Sequence, residues 1–210
     1  MEKDMEPNSI NELFNAVNEH LQSDEKPSEY LSEAYNDSRF REFPFSMLYA
    51  LKSTEQSPIH HPEGNVWNHT LLVVDEAAKL RVKSKNPPVI MWAALLHDIG
   101  KPSTTRVRKG KITAYDHDKV GAELSKEFLQ VFSVDERFIN DVYQLVRYHM
   151  QILFVVRDLP FADIKSIKTN TDIKELALLG LCNRIGRQGY NRNKEEDNIG
   201  LFLQKCLNSN

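Results

Sequence analysis

One segment, residues 87–100 (PPVIMWAALLHDIG), constrains the fold more than any other part of the sequence. Every position from 89 to 96 is apolar, so a helix there has no polar face to expose to water. Such a helix belongs at the centre of a bundle. A buried strand is the competing interpretation. Asn86 as a cap, Pro87 at the first helical position and the stop at Gly100 favour the helix.

Helical periodicity continues through most of the 210 residues. Two short β-prone runs between Thr104 and Ala114 flank Lys109-Gly110 and predict a β-hairpin. The segment 152–160 stays ambiguous. The fold class is therefore all-α, a compact bundle with one short hairpin after residue 100. Further helices are predicted at 9–22, from Pro27, after Pro44, at 65–83 with Asn65 as its cap, and at 117–131, 135–150, 172–186 and 195–207.

The composition is that of an ordinary globular chain, with 27% charged and 40% hydrophobic residues and a net charge of −3. The longest apolar run is too short to cross a bilayer, and the acidic N-terminus, interrupted by Pro7, resembles neither a signal peptide nor a transit peptide. Cys182 and Cys206 cannot form a disulfide framework, which indicates the reducing cytoplasm. With seven histidines against two cysteines, any metal site is expected to use imidazoles and carboxylates.

Four histidines fall on the core-facing stripes of different predicted helices, namely His69, His97, His117 and His149. A lone histidine on such a face is more often a hydrogen-bonded core residue than a metal ligand. Asp98 is harder than these histidines to explain as an ordinary core residue. A carboxylate at a helix C-terminus opposes the helix dipole, and burying it unpaired is costly. A divalent cation shared with the adjacent histidine would compensate this charge.

These residues belong to a longer pattern, made of His69, LLHDIGKP at 95–102, DHDxxGA at 116–122 and RYH at 147–149. The pattern resembles the HD superfamily of metal-dependent phosphohydrolases. Within it, the likeness is greatest to the HD domain of bacterial tRNA nucleotidyltransferases, which share the HPE loop at 61–63 and the Lys-Pro-x-Thr-Thr run at 101–105. The likeness covers about residues 58–150 and is weaker over residues 176–187. The nucleotidyltransferase head has no counterpart here, so nucleotide addition is not carried over.

Three regions are expected: an N-terminal helical extension (1–57) without a counterpart in the family, an HD domain (58–190) and a C-terminal helix (191–210) packed on that domain. The resemblance implies one or two divalent ions, with Asp98 as the bridge between them. Asn183 stands where the family's D-x-x-G-R segment has its last aspartate. An amide oxygen is a neutral, weaker ligand, so the first ion is expected to be loosely held, lost or completed by water. Alternatively, Asn183 only lines the core. The implied ligands are His69, His97, Asp98, His117, His149 and Asn183.

The implied activity is hydrolysis of a nucleotide phosphomonoester or phosphodiester, such as a 2′,3′-cyclic phosphate, by a metal-bound hydroxide. Mn, Fe, Co, Ni, Mg and Zn all suit the ligand set, whose central residue is Asp98. Lys101 is expected to steady a phosphate oxygen, unless it is a solvated loop lysine. Asp118 is expected to orient His117. Further substrate contacts are expected from His61, Arg106, Arg184 and Arg187.

Two partners and two functions remain open at this point. The partner is either a small phosphorylated nucleotide or an RNA end. The arginine side chains predicted to contact its phosphate could instead be ordinary solvated surface charges. The alternative to an enzyme is a catalytically weakened metal-binding or RNA-binding sensor module of the same fold, which Asn183 would explain.

Overall fold

A computed structural model describes residues 7–209, so residues 1–6 of the predicted extension and Asn210 lie outside the described part. Most of this part is helical, and its strands form one two-stranded antiparallel sheet. The all-α fold with a hairpin after the His97-Asp98 pair is thus confirmed. Short 3-10 helices occupy Ser38–Arg41, Ala50–Ser53 and Arg81–Lys83. The elements are α1 (Pro7–Ser23), α2 (Pro27–Ala34), α3 (Ser46–Tyr49), α4 (Val66–Leu80), α5 (Pro87–Leu96), α6 (Lys101–Thr104), β1 (Thr105–Arg108), β2 (Lys111–Ala114), α7 (His117–Gln130), α8 (Glu136–Tyr148), α9 (Gln151–Val156), α10 (Ile164–Asn170), α11 (Ile173–Ile185) and α12 (Arg192–Asn208).

The central helix is α5, as the apolar run predicts. All residues from 89 to 96 are buried, and α1, α4, α8 and α11 pack around them. Each large aliphatic side chain buried there contributes about 1.5–3 kcal/mol to folding. Asn86 precedes the helix but makes no side-chain cap, contrary to expectation. Its N–H instead donates to Oγ of Ser84 at 3.0 Å.

The N-terminal helices pack directly on this core. Phe14 of α1 stacks on Trp92 of α5 with ring centroids 4.8 Å apart, and Nε1 of Trp92 donates to Oδ1 of Asn18 at 2.9 Å. α2 lies against α4, and α12 lies against α9 and α11. The buried apolar side chains form one cluster that includes α1, α5 and α12. The domain boundaries at residues 58 and 190 stay a prediction.

Some of the secondary structure differs from the sequence-based expectation. The ambiguous segment 152–160 contains most of α9, and α10 was not predicted. α12 begins at Arg192 rather than 195, because the Asn191 side chain accepts from the N–H of Lys194 and caps the helix. Short helices have too few periodic positions for pattern alone to reveal them. Within residues 7–209, no helix is long and apolar enough to span a membrane.

A contact between two glycines brings the end of α5 to the start of α7. A Cβ atom on Gly100 would overlap the carbonyl oxygen of His117 and the backbone nitrogen of Gly121. Only glycine therefore lets the turn after Asp98 lie against the first turn of α7. This close approach sets the distance between the two halves of the site described below.

The hairpin leaves the bundle just beyond this turn. Thr105 pairs with Ala114, and the strands are joined by Lys109 and Gly110, with φ angles of 50° and 73°. Two consecutive residues with positive φ match the turn preferred in two-residue hairpins. Residues 106–111 are exposed, so the basic tip of the hairpin lies in solvent.

Candidate metal centre

The five predicted histidine and aspartate ligands converge at one end of the bundle. These five residues form two groups in which the ligand atoms lie within 4.8 Å of one another. One is His69, His97 and Asp98, and the other is Asp98, His117 and His149. All five side chains are buried, as the helical stripes predict, and Asp98 is only 2% exposed.

Asp98 lies between the two groups. Its Oδ2 is 3.2 Å from Nε2 of His97 and 4.0 Å from Nε2 of His69. Its Oδ1 is 3.4 Å from Nε2 of His117 and 3.9 Å from Nε2 of His149. One carboxylate thus presents a separate oxygen to each group. This is the arrangement that a residue bridging two ions requires.

Backbone carbonyl groups set the orientation of three rings. In His97, His117 and His149, Nδ1 donates to the carbonyl oxygen of the residue three positions earlier, at 2.8, 2.6 and 2.7 Å respectively. Because a carbonyl oxygen only accepts, Nδ1 carries the proton. The lone pair of Nε2 is then available on the side that faces Asp98, which is the tautomer of a metal-ligating histidine.

The inward nitrogen atoms fit a cation. Nε2 of His97 is buried without a hydrogen-bond partner in the described chain. Nε2 of His117 and Nε2 of His149 lie 3.2 Å apart. Burial lowers the pKa of both these rings below the ordinary value, so a proton shared between them is disfavoured. Neutral imidazoles around a carboxylate form a donor set suited to a divalent ion.

The charge state of the centre at neutral pH supports this fit. Burial lowers the pKa of His69 to about 4, although Glu63 opposes the change. Burial alone would raise the pKa of Asp98, but the charge of Lys101 beside it holds that pKa well below the ordinary value. An ionised carboxylate therefore faces a neutral His69 ring, and such a site needs no proton release to accept a metal.

Lys101 lies beside the shared carboxylate. Its Nζ is 2.6 Å from Oδ2 of Asp98 and donates to Oε1 of Gln56 at 2.5 Å. The side chain is buried and lines the cavity above the centre. Lys101 is therefore a fixed, buried cation and not a solvated loop lysine. Gln56, which no sequence motif indicates, holds it from the opposite side.

Glu63 has no role predicted from the sequence, although it belongs to the HPE loop. Its Oε1 is 2.9 Å from Nδ1 of His61 and 2.9 Å from Nδ1 of His69, the latter without hydrogen-bond alignment. Burial alone would raise the pKa of Glu63, but these contacts lower it to about 2. An ionised carboxylate thus lies behind a candidate ligand, as in carboxylate–histidine–metal sites.

Asn183 is brought to the first group by the packing of α11 on α4. Its Oδ1 lies 3.1 Å from Nε2 of His69. The close approach depends on Gly186, where a Cβ atom would collide with Val73 of α4. The packing of these two helices therefore places the amide oxygen beside the ring of His69.

A cavity of about 420 Å³ opens over the centre. Arg187 reaches it with a guanidinium group whose Nε is buried and makes no hydrogen bond to the described chain. His61 lines the mouth and faces Glu63. The residues given a role from the sequence that line this cavity are His61, Asp98, Lys101, His117, Asp118, His149, Asn183 and Arg187.

Three residues make contacts that differ from the expectation, and only Asp118 of the three lines this cavity. Arg106 is exposed on β1, and its guanidinium donates to backbone carbonyl oxygens at 2.8 and 3.0 Å. Arg184 does not line this cavity and pairs with Glu195 at 2.8 Å. Asp118 pairs with Arg147 at 3.0 Å and does not orient His117, contrary to expectation. Adjacent helical residues point about 100° apart, which directs Asp118 away from its neighbour's ring.

Residues 66–154 match the family model of the HD domain. This segment contains all five histidine and aspartate residues of the centre, whereas Asn183 follows it. We conclude that this part of the chain is an HD domain. HD domains are generally metal-dependent hydrolases, and the clustered histidine and aspartate side chains agree with that class.

Several curated relatives that match are named "Multifunctional CCA protein". That of Actinobacillus pleuropneumoniae serotype 5b (strain L20) is 32% identical over 108 residues, which is 51% of this chain and 25% of the relative. That of Hahella chejuensis (strain KCTC 2396) is 29% identical over 105 residues, which is 50% of this chain and 24% of the relative. The predicted likeness to HD domains of tRNA nucleotidyltransferases is thus confirmed, while the chain spans about a quarter of these relatives' length.

Proposed function

We propose that the centre hydrolyses a nucleotide phosphomonoester or phosphodiester, with 2′,3′-cyclic phosphates and nucleotidase-type substrates as the candidates. One observation carries the proposal: Asp98 directs one oxygen toward each histidine group, directly beneath a cavity lined by Lys101 and Arg187. Its volume of about 420 Å³ lies within the range of small-molecule sites.

In this proposal His69, His97, Asp98 and Asn183 would hold one ion. Asp98 would also serve a second ion, with His117 and His149 as its other ligands. When bound, a divalent ion lowers the pKa of water and neutralises charge on the phosphoryl group. Mn, Fe, Co, Ni, Mg and Zn remain candidates, because imidazole and carboxylate ligands suit all of them.

The protein's own cations bind and orient the substrate. Lys101, held by Gln56, is close enough to Asp98 to contact a phosphate oxygen at the centre. Arg187 offers a guanidinium with donors free for a bidentate phosphate contact. Fixed cations that stabilise developing charge need no reorganisation during the reaction.

The resemblance to tRNA nucleotidyltransferase HD domains supports an RNA end as a second substrate form. The exposed basic hairpin tip is a suitable surface for its backbone. A location in the reducing cytoplasm is supported by the free, buried thiols of Cys182 and Cys206.

The second candidate function is a metal-binding or RNA-binding sensor with weakened catalysis. Asn183 is the observation that favours it, because a neutral amide faces His69 where the family pattern has a carboxylate. The two candidates differ in turnover and not in metal binding.

The test is a metal titration of metal-free protein followed by assays with a chromogenic phosphodiester and a panel of 2′,3′-cyclic, 2′ and 3′ nucleotides. We expect metal-dependent turnover that is lost in Asp98→Asn and retained in Asp135→Asn, the same change at an exposed helix cap. Bound metal without turnover of any substrate would refute the hydrolase and leave the sensor.

A further inference from the structure

A second cavity, of about 300 Å³, adjoins the one over the metal centre. It lies where α9, α11 and the first turn of α12 meet. His149, Asn183, Arg157 and Arg187 line both cavities, so the two spaces are neighbours across these side chains. The polar residues that line only the second cavity are Arg184, Lys194, Glu195 and Asn198.

The lining of this second cavity carries an excess of positive charge. Four of its side chains are cationic, and Glu195 is its only carboxylate among the described residues. Nη1 of Arg184 donates to Oε2 of Glu195 at 2.8 Å, so these two charges neutralise each other. Glu195 also accepts from Asn198 at 3.0 Å.

The other three cations, Arg157, Arg187 and Lys194, make no side-chain hydrogen bond or ion pair within residues 7–209. Arg187 is the most unusual of them, because its Nε is buried. A buried guanidinium N–H without an acceptor is costly. Elsewhere in the site, the buried Lys101 has both Asp98 and Gln56 as partners. An anion supplied by a ligand would give Arg187 the partner that it lacks.

We propose that the second cavity binds a second phosphate group of the same substrate. The substrate would then be a short oligonucleotide whose reacting phosphate lies over Asp98 and whose neighbouring phosphate lies against Arg157, Arg187 and Lys194. This inference rests on the proposed function and narrows its substrate class. Arginine suits phosphate because its planar donors match two phosphate oxygens. Cations shared by adjacent cavities suit two anionic groups joined in one chain.

The test compares a mononucleotide 2′,3′-cyclic phosphate with a dinucleotide that ends in the same cyclic phosphate. We expect the metal-loaded protein to prefer the dinucleotide in kcat/KM. Lys194→Gln should lower that preference about fivefold, the effect of losing one exposed charged contact. The salt dependence of dinucleotide binding should also fall, by about 0.7 in the log–log slope. Lys174→Gln, at an exposed position of α11 outside both cavities, should change neither value.

The outcomes separate this inference from the proposed function. Equal kcat/KM for both substrates would overturn the second phosphate site while leaving the hydrolase intact. If neither substrate is cleaved, the hydrolase fails, and fluorescence anisotropy with a labelled dinucleotide 3′-phosphate decides the inference alone. Binding that weakens in Lys194→Gln but not in Lys174→Gln would support it. Absent binding, or equal binding by both variants, would overturn it.

Discussion

Glu63 offers the sharpest test of how the centre is supported, because one of its oxygen atoms lies 2.9 Å from Nδ1 of both His61 and His69. The change Glu63→Gln keeps the shape of the side chain and removes its charge. With a metal on the opposite nitrogen of His69, the carboxylate would support the ligand from behind. Loss of such support typically weakens metal binding 10- to 100-fold.

The same contacts determine how much the ionised Glu63 side chain contributes to the free energy of unfolding. The pKa of Glu63 is about 2, against an ordinary value of 4.5. At about 1.4 kcal/mol for each pH unit between these values, folding favours the ionised form by about 3 kcal/mol. Because the pKa is lowered on folding, this stability is present above pH 4.5 and is lost as the pH falls toward 2. At pH 7 the variant should therefore lose up to about 3 kcal/mol, or about 6–12 °C in Tm.

The assay is thermal unfolding of metal-free protein, together with a competition titration for metal affinity. Glu76→Gln is the matched control, since Glu76 lies on α4, the helix that carries His69, but pairs with the exposed Lys79 and Arg192. The control variant should lose no more than about 1 kcal/mol of stability. If Glu63→Gln lowers stability no more than the control and binds metal as tightly as the unchanged protein, the reasoning is refuted.

Two other predictions concern the same centre. Burial lowers the pKa of His61 to about 3 and that of His69 to about 4, from 6.5, so the unfolded chain takes up more protons and stability falls as the pH drops below 6.5. Urea unfolding of metal-free protein should show about 4 kcal/mol less stability at pH 5 than at pH 7, and equal stability would contradict these shifts. Asn183→Asp should tighten metal binding in a calorimetric titration, and unchanged stoichiometry and affinity would mean that position 183 is not a ligand.

The sequence predicts the parts of this protein that depend on local pattern. An apolar run without a polar face must be buried, and α5 is the central helix. Histidines on apolar stripes must face the core, and His69, His97, His117 and His149 do so in four places along the chain. The Asn65 cap and the Lys109-Gly110 turn follow from side-chain and backbone preferences that need no other part of the chain.

Some features were beyond the pattern because they depend on which elements meet. Periodicity reports the face of a helix on which a side chain lies, and not its partner on another element. Thus Asp118 finds Arg147 of α8 and not the adjacent His117, and Arg106 stays in solvent while Arg187 reaches the cavity.

The contacts that define the site come from the tertiary structure alone. Glu63 meets His61 and His69 because the loop before α4 folds back over that helix's first turn. The second cavity exists because α12 packs against α9 and α11, which brings Lys194 near Arg187. Such juxtapositions are decided by close packing between distant segments, where a single Cβ atom at Gly100 or Gly186 would change the spacing.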